Sequence, residues 1–339
     1  MTKEKVLVIG SNSFSGSHFV AEALSSGYEV WGVSRSSQPI SVFLPYLWQL
    51  SNGCSLATPD NFHFQAIDLN TQLNDLFELI DRVQPELVVN FAAQGMVAES
   101  WLNPTHWYRT NVVAQVALHD ALRQKPFLKK YVHVTTPEVY GSTDGGWIKE
   151  HNHFAPSTPY AVSRAACDLH LHSFHQAYGF PVVFTRAANV YGPGQQLYRI
   201  IPRTLLSART GEPMQLHGGG HSVRAFIHIK DVVRATLQLA REGQPGSTWH
   251  LSTQESCSIK ELVKQICTLS GASFSELVQS SQERLGKDQS YLLESSAMRQ
   301  VHGWSDQISL QQGLQETLAW VDANLDTLKT LPWSYQHKS

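Results

Sequence analysis

Apolar and polar positions fall into blocks along this chain, and the period of the blocks changes in a regular way. Lys5-Val6-Leu7-Val8-Ile9 is a short, almost wholly apolar run, the pattern of a strand covered on both faces of a parallel sheet. A glycine turn follows, then a helical pattern from about Phe14 to Ser25, then Gly27 and a second apolar strand at Glu29–Val33. Strand, turn, helix and strand make one βαβ unit of about thirty residues. The pattern goes on to predict a strand at Phe62–Ile67, a helix at about Leu73–Val83 and a strand at Leu87–Phe91. A long helix at about Thr105–Arg123, a strand at Tyr131–Val134, a helix at Tyr160–Tyr178 and a strand at Pro181–Arg186 come next. This alternation predicts an α/β fold built on a doubly wound parallel sheet.

Two regions break the alternation. Residues from about 38 to 61 contain Pro39, Pro45, Gly53 and Pro59 and predict an irregular insertion with exposed aromatics at Phe43, Tyr46 and Trp48, covering a cofactor or a partner surface. Past Asn189-Val190-Tyr191-Gly192-Pro193-Gly194 the segments shorten, Gly218-Gly219-Gly220 appears, and Arg203, Arg209, Arg224 and Arg284 are spaced through the remainder. That texture predicts a smaller C-terminal substrate-binding lobe with cations for a phosphate-bearing ligand. Ala225–Ile229 and Thr248–Ser252 read as strands returning to the first domain. The expected division is therefore 1–188 plus about 225–256 for a dinucleotide-binding domain, and 189–224 plus about 257–330 for the lobe. The last dozen residues, with Pro332 and a polar end, read as a loose tail.

Composition narrows the partners. With 339 residues, 42% hydrophobic and 16% charged, the chain can bury a large core as one large or two joined domains. A formal net charge of −2 gives no general electrostatic case for nucleic acid. No apolar run of about 18 residues predicts a membrane span, and the start has no signal-peptide layout, so a cytoplasmic location is expected. The 4 cysteines lack a CxxC and read as structural thiols in a reducing compartment. Among 16 histidines, His170, His172 and His175 lack the i,i+4 spacing of a helical zinc site, and no metal is expected.

The candidate chemistry sits at strand ends. Gly10 allows the tight turn after the first strand and Gly16 lets the helix pack close. The amides around Asn12, Ser13, Phe14 and Ser15 then face a pyrophosphate. This is the Rossmann-type arrangement, with Ser13 at the middle glycine position. The second strand ends in Ser34-Arg35-Ser36-Ser37, where a guanidinium replaces the ribose-binding carboxylate, which favours NADP over NAD. Asp68 and Leu69 are placed to reach the adenine. The small residues of Phe91-Ala92-Ala93-Gln94-Gly95 let another strand tip approach the cofactor. The stretch Val134–Arg164 carries Thr136 and Glu138 at a strand end, and Tyr160 and Arg164 four apart on one helix face. Such a set can hold an acid, a base and a positive charge around one small substrate.

These pieces resemble the extended short-chain dehydrogenases/reductases, in the nucleotide-sugar 4,6-dehydratase and epimerase group. The resemblance covers nearly the whole chain. It is carried by Gly10 to Gly16, Asn90–Gln94, Thr110-Asn111-Val112, Thr135–Gly141, Tyr160–Arg164, Asn189–Pro193, Ile201-Pro202, Arg224–His228 and Arg284–Asp288 with Tyr291. Thr136 followed by Glu138 and Val-Tyr-Gly resembles the dehydratases in particular. The resemblance implies a nicotinamide cofactor held also by Asn111, Tyr160 and Arg164, and a nucleotide-diphosphate sugar met by Thr136, Asn189, Arg199, Arg224 and Arg284. It implies Tyr160 as the C4 base, its pKa lowered by a neighbouring cation, Glu138 as the C5 base, and water lost from C6. A homodimer is also expected, for which the two long helices are candidate interfaces, though both could equally be ordinary sheet-covering helices. Three positions depart from the family: Arg164 stands for Lys, Pro137 for the acid before Glu138, and Ala225 for Asp. A 4-epimerase, 4-reductase or decarboxylase of the same group, and an inactive cofactor-binding scaffold, remain alternatives.

Overall fold

The computed structural model describes residues 3–48, 60–142, 145–281 and 292–338. Its central sheet contains β1 (Lys5–Ile9), β2 (Glu29–Ser34), β3 (Phe62–Ala66), β4 (Leu87–Asn90), β5 (Lys130–Val134), β6 (Val182–Ala187) and β7 (Thr248–Leu251). Neighbours are parallel throughout, in the order β3-β2-β1-β4-β5-β6-β7. The order reverses between β1 and β4, and the crevice at the carboxyl ends of those strands is where such sheets bind ligands.

Helices cover both faces, which is why β1 and β4 are apolar without alternation. On one face Phe19, Val20 and Ala23 of α1 (Phe14–Ser25) pack with Ile229, Val233 and Leu237 of the helix Ile229–Glu242. On the other lie Leu76, Leu79 and Ile80 of the helix Leu73–Val83, with Leu118, Leu122, Cys167 and Leu171. The long helix expected at 105–123 is interrupted: Pro104–Tyr108 leads into a π-helical turn at Arg109–Val113 and then Ala114–Leu122. Such turns recur at functional sites, and this one contains Asn111.

The second lobe packs the helices Ile200–Thr210, Ile259–Ser270 and Leu310–Leu328 around Ile201, Leu205, Leu262, Ile266, Leu314 and Val321. Of the two strands expected to return to the sheet, Thr248–Leu251 does so as β7 beside β6. Phe226–His228 instead pairs with Asn189–Tyr191 in a separate parallel pair. The edge beside β6 is already taken by β7.

Two further expectations are corrected. In the insertion, Tyr46 is 3% exposed with its ring 4.7 Å from Phe62, and the Trp48 indole donates to the Ser41 carbonyl at 2.9 Å. Large rings find cover even where spacing is irregular. The part of the insertion with Gly53, Cys54 and Pro59 lies outside the described residues. The tail is not loose either: Trp333, Tyr335 and His337 are half-buried, alternating with exposed Ser334, Gln336 and Lys338.

Candidate active site

The turn after β1 is built so that only glycine fits at two points. Gly10 has φ 84°, and a Cβ there would lie 2.8 Å from the Ala92 nitrogen. A Cβ on Gly16 would lie 2.1 Å from the Gly10 carbonyl oxygen. Both contacts press α1 and the tip of β4 onto the end of β1. Ser13 acts as the N-cap of α1, its hydroxyl accepting from the Gly16 amide at 3.0 Å. The Asn12 amide donates to the Ser34 hydroxyl at 2.9 Å, and its side-chain nitrogen donates to the Ser36 carbonyl at 3.0 Å. The Asn12 Oδ1 atom is buried without a partner among the described residues. An orphaned acceptor suits a ribose hydroxyl, and the amides of the helix N-terminus beside it suit the phosphates of a dinucleotide.

Other residues assigned to the cofactor hold this cradle in shape. The Asp68 carboxylate accepts from the Asn70 amide at 2.9 Å, fixing the turn after β3, and Leu69 is buried. Asn111 is fully buried and bonds both main-chain groups of Gln94: its Oδ1 accepts at 2.8 Å and its Nδ2 donates at 3.1 Å. The same Nδ2 donates to the Ser163 hydroxyl at 3.0 Å. Asn111 therefore ties the tip of β4 to the helix that carries Tyr160.

Thr136, Glu138 and Tyr160 come together at the end of β5. Thr136 caps a 3-10 turn at Pro137–Tyr140, accepting from the Glu138 amide at 3.3 Å, and Pro137 stands at its first position. Proline is pre-set for that position because its missing N–H would have no partner there. Tyr160 opens the helix Pro159–Tyr178, which Thr158 caps through the Ala161 amide at 3.1 Å. The Tyr160 phenol lies close enough to the Thr136 hydroxyl and the Glu138 carboxylate for both to act on its ionisation.

Its pKa is raised, not lowered as the sequence suggested. Burial and the Glu138 carboxylate push it above the ordinary value, against Arg164, the Thr136 hydroxyl and Arg199, which pull it down. Arg164 does not lie open to the cleft: it is 2% exposed and its Nη2 donates to the Val134 carbonyl.

A buried polar chain missed by the sequence reading lies beneath. Asp168 Oδ2 accepts from Arg186 Nη2 at 2.8 Å and from the Thr135 hydroxyl at 3.1 Å, and Oδ1 lies 3.3 Å from His133 Nε2. Arg186 Nη1 donates to the Tyr140 hydroxyl at 2.7 Å, which is 2.7 Å from His250 Nε2. Burial opposes ionisation of Asp168, but Arg186, His133 and Arg164 hold its carboxyl below the usual range. One signal was available: Asp168 is four residues after Arg164 on the helix face that carries Tyr160.

In the second lobe Asn189 Nδ2 donates to the Ala225 carbonyl at 3.2 Å, and exposed Arg199 lies 5.5 Å from the Tyr198 ring. Arg224 is 8% exposed and lines a cleft of about 570 Å³ with Phe226, Cys257 and Ser309. Arg284, Gly286, Asp288 and Tyr291 lie outside the described residues. The histidines at 170, 172 and 175 form no metal cluster among the described residues. His119, His133 and Cys167 do bring ligand atoms within 4.8 Å of one another. There the His rings already meet Tyr131 and Asp168, and burial pushes the thiol up to about 12.

Residues 7–317 match the GDP-mannose 4,6 dehydratase family. The chain belongs to that family. It is 32% identical over 323 residues to a dTDP-glucose 4,6-dehydratase of Streptomyces niveus, covering 94% of this chain and 93% of that protein. Over 325 residues it is 28% identical to a trifunctional UDP-glucose 4,6-dehydratase/UDP-4-keto-6-deoxy-D-glucose 3,5-epimerase/UDP-4-keto-L-rhamnose-reductase of Arabidopsis thaliana. That match covers 95% of this chain but only 47% of the relative, about half its length. The crystal structure of dTDP-glucose 4,6-dehydratase from Bacillus anthracis in complex with NAD superposes with a TM-score of 0.85 at 27% identity, covering 97% of this chain and 100% of that one. The fold is thus that of the nucleotide-sugar dehydratases and epimerases.

Proposed function

We propose that the protein is a nicotinamide-dependent nucleotide-sugar 4,6-dehydratase. The observation that carries this reading is the meeting of Thr136, Glu138 and Tyr160 at the end of β5, beside the cradle of β1. A site for C4 oxidation alone needs the tyrosine and a hydroxyl; the added carboxylate suits removal of a second proton. A bound nicotinamide would supply a hydride acceptor for C4 and a hydride donor for C6. Tyr160 removes the C4 hydroxyl proton and Thr136 holds that oxygen. The resulting ketone acidifies C5. Glu138 takes the C5 proton and hands it to the C6 hydroxyl, which leaves as water. Once hydride has added at C6 a proton returns to C5, matching the one Tyr160 took from the C4 hydroxyl, so that the residues end as they began. With Pro137 in place of a second acid, Glu138 does both jobs. The positive charge of Arg164 favours the Tyr160 phenolate from beneath.

NAD is the cofactor the site suits. The residue that favours NADP, Arg35, already donates to the Lys338 carbonyl at 3.1 Å. Gly10, Asn12 to Gly16, Asp68, Leu69 and Phe91 to Gln94 form its groove. Asn189, Arg199 and Arg224 are assigned to the sugar nucleotide's diphosphate, in the lobe of residues 189–224 and about 257–330. A homodimer is supported by exposed apolar side chains along the two long helices and the turn before them: Trp101, Leu102, Tyr108, Val113, Val162, Leu169 and Tyr178.

The test is to incubate purified protein with dTDP-glucose, GDP-mannose and UDP-glucose, with NAD or NADP and no reductant. A 4-keto-6-deoxy product from one of them supports the reading. Stoichiometric build-up of reduced cofactor would make it a net oxidoreductase, and no turnover with cofactor bound would make it a scaffold.

A further inference from the structure

Residues 333–338 lie outside helix and sheet, and they put every second side chain against the protein. A period of two is what extended backbone gives. Trp333 is held in the second lobe: its indole donates to the Leu328 carbonyl at 3.0 Å, and the Arg203 guanidinium lies 4.9 Å from its ring. Tyr335 packs edge-on against Tyr198 at 5.4 Å, next to Arg199. His337 lies flat against Trp107 at 5.1 Å and His106 at 5.2 Å, its Nε2 2.8 Å from His106 Nδ1. The Lys338 carbonyl then accepts from Arg35 Nη1 at 3.1 Å and from Gln94 Nε2 at 2.8 Å. The segment thus runs from the second lobe to the ends of β2 and β4. Among the described residues, none of these contacts falls on residues 10–16, so it crosses at the rim of the groove and not in the cradle.

We propose that residues 333–338 are a strap that closes over a bound nicotinamide dinucleotide, latched by Arg35 and Gln94. The proposal rests on the cofactor groove assigned above. A cofactor that gives and takes back the same hydride has no need to leave between turnovers, and a latched cover slows its loss. The latch also discriminates. Arg35 Nη1 is engaged by the Lys338 carbonyl, so the guanidinium has fewer donors to offer a 2′-phosphate, whereas a 2′-hydroxyl makes no such demand.

The experiment compares the full chain with a chain stopped after Pro332. Each is loaded with NAD, freed of excess ligand, and followed for dinucleotide release; affinities for NAD and NADP are measured alongside. The expected result is release at least about ten-fold faster from the shortened chain, with affinity for NADP rising relative to NAD. Release as slow as, or slower than, that of the full chain overturns the strap. Should the shortened chain fail to fold, His337→Ala in the full chain carries the same test, with release expected about five-fold faster and no change overturning it. Failure of the full chain to bind either dinucleotide is a different result: it removes the groove assignment and the strap with it.

Discussion

Asp168 and Arg186 are both fully buried, 2.8 Å apart, and Asp168 also accepts the hydroxyl of Thr135, the residue next to Thr136 in the site. The pair fixes the strand end from which the candidate chemistry projects. Asp168→Asn leaves the Arg186 charge without its counter-ion, and removing one member of such a pair costs about 3–5 kcal/mol. The expected outcome is a large fall in melting temperature. Because the Asp168 carboxyl is held below the usual range, its contribution is complete above the unfolded carboxylate pKa and is lost only in strong acid, as pH falls through the folded value. A melt series from neutral pH downward checks the sign.

Glu138→Gln separates the two proton transfers. The variant is expected to lose dehydration by 10²-fold or more, in line with the typical worth of a general base, while hydride removal from C4 stays detectable as cofactor absorbance. Because the Glu138 charge raises the Tyr160 pKa, the alkaline rise in C4 oxidation should move to lower pH in the variant. A shift upward, or equal loss of both steps, contradicts the assignment.

Gly16→Ala tests the cradle. The added Cβ meets the Gly10 carbonyl, main chain that cannot step aside. Overpacking of this kind costs about 1–3 kcal/mol, and dinucleotide binding should weaken far more than the melting temperature falls. Titration calorimetry beside a thermal melt reads both.

Acid should loosen the contact at His337. Burial, His106 and Arg35 hold its pKa below the ordinary value, while Glu99 opposes them; the Tyr335 ring packs beside it. Burial and these neighbours favour the neutral imidazole in the folded segment, so that contribution is complete above the unfolded histidine pKa and lost as pH falls through the folded one. Cofactor release should quicken on acidification in the full chain and less so in His337→Ala.

Charge placed on the exposed helix faces tests association. Val113 is 64% exposed and Leu169 53%, and Val113→Asp with Leu169→Asp should give a monomer by light scattering with an unchanged melt of the isolated fold. A monomeric parent protein would contradict the dimer.

Much of this was legible along the chain, for reasons that differ by element. α1 and the helix Leu73–Val83 fall where the pattern put them, because a glycine turn or a polar segment bounds each apolar stripe. Thr136, Glu138 and Tyr160 were visible as a motif whose members are close in sequence. Asp168 and Arg186 were not, since their pairing depends on a helix and a strand meeting in space. The direction of the Tyr160 pKa was misread because only the nearby Arg164 was weighed, whereas burial and Glu138 outweigh it. The rings at 333, 335 and 337 were passed over because a polar, proline-containing end looks unanchored when the alternation inside it is not counted.

That alternation carries a constraint on length. The helix Leu310–Leu328 ends a few residues before Trp333, so the faces of Tyr335 and His337 are set by how many residues separate them from it. Inserting a single residue at 334 would turn both rings to solvent, whereas inserting two would turn them back. Parity, more than composition, governs which changes this segment can accept.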